Sequence, residues 1–558
     1  MTDFIQSLQS RDLSYLRIVA GFWDIPIENL DSRGALQRLS EAIEETSLVQ
    51  EVVDSLPSEA RAALDDLINH GGRLPWPVFT RNYGAVREMG AGRRDRERPY
   101  RNTTAPAEML WYRALVARTF FDTPNGPQEF AYVPDDLLEH LPKPVHQAIP
   151  PLGRAASPAE RGKSALAKDD ILDHCCTYLA ARRLDLPESE LISQGIGLVF
   201  QEAPLTPQAL RVLMSAAGLL DSQGNPAPEP VRDFLEMPRS NALVTLARAW
   251  LHSPLVNELR LLPGKVFEGD WQNDALQARQ AILDFVSTVP RDTWWSLSAF
   301  VVDVRDRHPD FQRPAGDYDS WYIREETSGE FLRGFFHWDA IDGALIRYVI
   351  CGPMYWLGLV DLATPLPKEG VSDLSLPVSA FRLSQWFDVI LGGELPQGLP
   401  EENQLVLIGS DARLRVPPLV PRAVRYQLAR FGNWEMPKNG AYVYRITTNS
   451  LARARQQGLQ MVHLTNLLRR YSQAVPPNLA KALERWNEHG TQARIQNVVV
   501  LRLSSPDLLQ ALRSSRAARF LGEPLGPAAV IIKPGAWKKV MEALAELGYL
   551  GEAEIEGD

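Results

Sequence analysis

The chain has 558 residues, 45% of them hydrophobic and 23% charged, with a formal net charge of −10. That is ordinary globular composition, with material for about three to five domains of ~100–200 residues each. There is no apolar run of the ~18 residues that a membrane-spanning helix needs. Three cysteines, Cys175, Cys176 and Cys351, cannot build a disulfide framework, and the opening MTDFIQSLQSRD lacks the basic-then-apolar pattern of a leader. A cytoplasmic, reducing location is therefore expected.

Residues 12–45 read as two or three short helices around Trp23. Their outline resembles small SAP-type nucleic-acid modules. However, residues 1–80 carry thirteen acids against six bases, so phosphate contact is disfavoured and 1–54 is read as a helical cap. Residues 58–69 form an amphipathic helix, with Ala60, Ala63, Leu64, Leu67 and Ile68 on one face and Gly71-Gly72 as the stop. A short helix near 77–83 follows, then a basic loop holding Arg93, Arg94, Arg96, Arg98 and Arg101, then a helix over 107–117. Asn125-Gly126 between two apolar runs signals a hairpin. Three helices ending in a hairpin describe a winged helix, assigned to 55–145.

A Pro- and Ala-rich connector is expected over 146–168. The frame of helix, short strand, polar turn, short strand and helix then recurs twice, marked by Asp122, Asp221 and Asp361. This places winged-helix units two and three at 169–262 and 274–395, with 362–377 as a long wing. Residues 400–550 read as a small mixed α/β domain. The expected fold class is mainly α with small β-hairpins: tandem winged-helix units followed by that C-terminal domain.

Residues 411–502 are the electrostatic exception. They hold fifteen Lys and Arg against four Asp and Glu, so the remainder of the chain sums to −21. One basic segment in an acidic protein is the usual footprint of a polyanion site. The segment begins with a strand over 442–446, and Asn449 or Ser450 is the expected cap of a helix that Gly458 ends. A second helix carries Met461, Leu464, Leu467 and Leu468, with Arg469-Arg470 at its end. Pro476-Pro477 opens a third helix, and a strand over 498–503 closes the segment. Candidate phosphate contacts are Arg413, Arg415, Arg422, Arg425, Arg430, Arg453, Arg455, Arg469 and Arg470. The loop arginines, Arg93, Arg94, Arg96, Arg98 and Arg101, form a second candidate set. Their alternative role is pairing with acidic surfaces of neighbouring domains.

No constellation for catalysis, metal or cofactor stands out. Gly162-Lys163-Ser164 ends like a phosphate-binding loop, but the required first glycine is Ser157, followed by Pro158. His174-Cys175-Cys176 is too tightly spaced for tetrahedral zinc and reads as core. Cys351 has no positioned base. The aromatic stretch from Trp294 to Trp356 is read as core packing, with base stacking as the alternative.

The pattern "YRIT..SL..A...G", a helix ending in paired basic residues, "VPPN…L..W" and "VVVLRL" resembles the N-terminal helicase-associated domain of XPB-type DNA repair helicases. The resemblance covers roughly 401–548. It implies a non-catalytic protein that contacts DNA through its backbone, without sequence specificity, beside a separate XPB-like helicase. A scaffold that binds proteins through its winged helices, its basic segment docking an acidic partner, is the alternative.

Overall fold

The computed structural model describes residues 3–123, 126–142, 151–197, 200, 203–366, 376–492 and 497–553. The fold is mixed α/β, mainly helical with small antiparallel sheets. Two compact units emerge: one spans Met1–Ile446 and Asn466–Ala474, the other Thr447–Thr465 and Val475–Asp558.

The first unit begins with a helical core built on residues 4–141. The helix Ser58–Asn69 buries Ala60, Ala63, Leu64 and Leu67, the spacing its sequence shows. Short helices Trp76–Tyr83 and Pro106–Tyr112 follow, and the latter leads into paired strands Ala117–Thr123 and Gly126–Tyr132. Asn125 of the expected turn lies outside the described residues. A third strand, Arg73–Pro75, pairs with Gly126–Tyr132 and makes a three-stranded sheet. The basic stretch between these helices is not a plain loop: Ala91–Glu97 is helical and Pro99–Arg101 is a 3-10 turn.

Further along, the helices Ile171–Leu184, Pro207–Ala216 and Arg239–His252 pack together, and Pro228–Glu236 packs against Arg422–Phe431. Cys175 and Cys176 are buried in the first of them, where burial pushes both thiols up in pKa. Around Asp221 the chain has only a single bridge, Leu220 to Pro226, so no paired strands form there. The strands Val360–Thr364 and Ala380–Leu383 do pair, but inside a four-stranded sheet with Lys163–Ala165 and Trp295–Ser296.

That sheet changes the reading of the connector. Residues 151–165 are tied down: Ala156 N–H donates to Trp294 O at 2.7 Å, and Gly153 N–H donates to Asp303 at 2.8 Å. Pro and Ala content suggested an extended tether. The extended backbone instead completes a sheet edge, where its N–H and C=O groups find partners. The part of the connector over 146–150, and 367–375 of the long wing, lie outside the described residues.

The second unit has its own core, in which Leu509, Leu512, Leu521, Val530, Ile532, Val540 and Leu544 are buried. Its sheet runs in the order Val499–Arg502, Ala529–Ile532, Leu521–Gly526, all antiparallel. The helix Thr448–Gln456 is capped by Thr447, not by Asn449 or Ser450. The Thr447 hydroxyl accepts from Ser450 N–H at 3.1 Å, and Ser450 Oγ accepts from Thr447 N–H at 3.0 Å. This reciprocal arrangement satisfies two otherwise orphaned donors.

Candidate nucleic-acid interface

The basic segment opens on a four-stranded antiparallel sheet in the first unit. Its order is Leu407–Ile408, Arg413–Val416, Ala441–Arg445, Asn433–Lys438. The last two strands are joined by Asn439-Gly440, both at positive φ (53° and 73°), as a two-residue hairpin turn requires. Successive strand residues face opposite sides. Leu414 and Val416 are therefore buried on one face, while Arg413 and Arg415 lie on the other. Arg445 stands directly opposite Arg413 and shares that face.

The helix Arg422–Phe431 packs against Ile171–Leu184 and carries two arginines inward. Arg422 is fully buried: its Nε donates to Glu402 at 2.6 Å and its Nη2 to Met237 O at 2.6 Å. Arg425, also buried, donates to Thr177 Oγ1 at 3.1 Å and to Asp173 O at 2.5 Å, with its guanidinium 4.0 Å from the Tyr442 ring centre. Arg239 joins them, bonded to Asp169 at 2.6 Å, Asp173 at 2.9 Å and Glu402 at 3.1 Å. Three guanidinium groups thus face three carboxylates. Each buried charge needs such a partner, because an isolated one is prohibitively costly. Beside this network, burial depresses the His174 pKa to about 4, and the His174 Nδ1 has no hydrogen-bond partner.

These contacts remove Arg422 and Arg425 from the candidate phosphate ligands, since solvent does not reach them. Arg413 is half-spent. Its Nε reaches across the neighbouring strand to Glu435 at 2.7 Å, and its Nη1 bonds Asp411 at 2.6 Å, holding the Asp411 carboxyl below its ordinary pKa. Arg430 is half-buried, bonded to Gln427 at 3.2 Å and stacked on Tyr426. Arg453 is also half-buried, and burial lowers the pKa of both.

Arg415, Arg445, Arg469 and Arg470 remain exposed in the first unit, with no acidic partner among the described residues. Arg469 and Arg470 sit in the last turn of the helix Met461–Tyr471. Cations there complement the negative end of the helix dipole. That helix end joins the sheet: Tyr471 O accepts from Val406 N–H at 2.8 Å, and Ser472 bridges Val406 in parallel. Arg455 is exposed on the second unit. Arg445 escaped the sequence reading, because its place beside Arg413 is set by the pairing of Arg413–Val416 with Ala441–Arg445, two strands separated in sequence by the helix Arg422–Phe431.

The second candidate set divides likewise. Arg94 is buried and forms a fork with Asp12 at 2.7 and 2.8 Å, which lowers the Asp12 pKa to about 2. Arg93 pairs with Glu97 at 2.7 Å, and Arg96 donates to Gly92 O at 3.2 Å. Arg98 and Arg101 are exposed and carry no ion pair among the described residues.

Gly162-Lys163-Ser164 leads into the edge strand Lys163–Ala165, not into a loop before a helix. A side chain at Gly162 would collide with the Leu366 backbone, so glycine here serves a close approach of two strands. Among the described residues, no helix is long and apolar enough to cross a membrane.

One family profile matches the chain: that described as helicase conserved C-terminal domain, over residues 406–524. The match begins at Val406, where the basic sheet starts, and links the protein to helicases broadly. It covers about a fifth of the chain. No curated protein matches the sequence.

Proposed function

We propose that this chain is a non-catalytic nucleic-acid-binding accessory protein. In this reading it is related to the N-terminal domain of XPB-type helicases and acts with a separate helicase in DNA repair or transcription. The observation that carries the reading is the exposure of Arg415, Arg445, Arg469 and Arg470 around one small sheet inside the helicase-matched region. Guanidinium groups that carry no ion pair among the described residues offer charge-assisted donors to phosphate oxygens. They present no array of base-reading side chains, so the contact is to the backbone and independent of sequence. The helix-and-hairpin arrangement of residues 58–132 is read as a winged helix that carries the module.

The test is a titration of labelled forked and single-stranded DNA into the full chain at several salt concentrations. Binding that weakens steeply with salt is expected, because phosphate contacts release counterions. Absence of binding at low salt overturns the proposal.

A second reading, a scaffold that docks proteins, draws on a different surface. Phe336 is 93% exposed, and Tyr322, Phe331 and Phe335 are also exposed, near Glu326 and Glu330, which carry no ion pair among the described residues. The exposed Arg333 stacks on Tyr322 and Phe331, so the surface is aromatic with charges of both signs and suits a protein partner. A partner captured equally well after nuclease treatment, and lost in Phe336→Ser, would favour this reading.

A further inference from the structure

A cavity of about 530 Å³ opens in the N-terminal helical core, away from the basic sheet. Four arginines line it: Arg11, Arg87, Arg94 and Arg118. Three are already matched to carboxylates. Arg87 forks onto the fully buried Glu108 at 2.7 and 2.8 Å, Arg94 onto Asp12, and Arg118 pairs with Glu88 and Glu129.

Arg11 differs. Its guanidinium lies 4.6 Å from the Trp111 ring centre and 5.2 Å from that of Tyr15. Those rings are themselves fixed, because Tyr15 O–H donates to Trp111 O at 2.6 Å. No carboxylate or carbonyl among the described residues accepts from Arg11, although the side chain is half-buried. Stacking on aromatic faces holds the planar cation without using its in-plane N–H donors. A half-buried guanidinium that is oriented and unspent is prepared for an anion. The cavity is larger than a lone anion needs and falls in the ~300–1,000 Å³ range of small-ligand sites. Val86 and Met89 add apolar wall for a ring.

We propose that this cavity binds a phosphomonoester of about nucleoside-monophosphate size, with Arg11 as the phosphate ligand. The other three arginines are neutralised by Glu108, Asp12, Asp95, Glu129 and Glu88, the last also on the cavity wall, so Arg11 is the lining cation left without a carboxylate among the described residues. The phosphate could arrive on a free nucleotide or on the 5′ end of a strand, and the chemistry at Arg11 is the same. The proposal is independent of the sheet-face reading, since a free nucleotide tests it without any nucleic-acid chain.

The experiment is calorimetric titration of the full chain with adenosine 5′-monophosphate, with adenosine and with inorganic phosphate. Adenosine monophosphate should bind about tenfold or more tighter than adenosine, as charge-assisted hydrogen bonds require. Arg11→Gln should remove that difference, and the exposed-site control Arg33→Gln should keep it. A short strand with a 5′-phosphate that gains over its 5′-hydroxyl counterpart, in an Arg11-dependent way, identifies strand ends as the source. A gain confined to the free nucleotide identifies the nucleotide. Equal affinity of the wild-type chain for adenosine and its monophosphate overturns the proposal, whatever the variants do. So does a loss in Arg33→Gln as large as that in Arg11→Gln.

Discussion

Replacing Arg422 by Met separates the structural arginines of the basic segment from the exposed ones. Met fills much of the same volume but leaves Glu402 without the 2.6 Å bond from Arg422 Nε, and Met237 O without its 2.6 Å donor. Breaking a buried pair by removing one partner costs about 3–5 kcal/mol. Glu402 keeps Arg239 Nη1 at 3.1 Å and the Arg422 backbone N–H at 3.0 Å, so the loss should fall near the lower end, about 3 kcal/mol. For a cooperative unit of roughly 150–250 residues this lowers the melting temperature by about 6–12 °C. The assay is differential scanning calorimetry of the full chain, following the transition that shifts, because a chain of several cores need not melt in one step. Arg415→Met is the control: an exposed strand residue should change stability by no more than about 0.5 kcal/mol. If Arg422→Met melts within about 2 °C of the wild-type chain, the buried network does not hold this helix in place.

Three further outcomes follow from individual contacts. Arg94→Gln loses the two-pronged bond to Asp12 and should cost about 1–2 kcal/mol in chemical denaturation, because Asp12 can regain water at its exposed side. Gly432→Ala places a methyl 2.8 Å from Tyr444 Cβ in the basic sheet and should destabilise by about 1–3 kcal/mol, read from the same denaturation curves. His174 has a folded pKa near 4, below its ordinary 6.5. The unfolded chain therefore takes up the proton first. Stability should be level above about pH 7 and fall as pH drops from about 6.5 towards 4, by on the order of 3 kcal/mol. His174→Gln should flatten that part of the profile, and an unchanged profile would sink the assignment.

Local patterns were legible wherever one residue's neighbours in sequence are also its neighbours in space. The amphipathic helix Ser58–Asn69, the paired strands Ala117–Thr123 and Gly126–Tyr132 and the helices around Gly458 and Pro476 follow from periodicity and stop residues. The cap of Thr448–Gln456 was misplaced because several adjacent residues can cap, and only the reciprocal Thr447–Ser450 bonds choose one. Burial of Arg422 and Arg425 was not legible. Their partners, Asp173, Thr177 and Glu402, are spread over hundreds of residues, and charge counting treats every arginine as solvated. Sheet completion by residues 163–165 was hidden for a related reason: a short strand with no alternation of its own is defined by the edge it joins. The candidate site was legible as a charged region, but not as the smaller set of arginines that stay exposed without an ion pair among the described residues.

The most direct measurement is the salt dependence of DNA binding by the full chain carrying Arg415→Ala and Arg445→Ala together. Each lost phosphate contact removes about 0.9 from the slope of log affinity against log salt. The account therefore predicts a slope shallower by about 2, with weaker binding at every salt concentration and an unchanged melting temperature. A slope equal to that of the wild-type chain would contradict it, and would move the search for the binding surface away from this sheet.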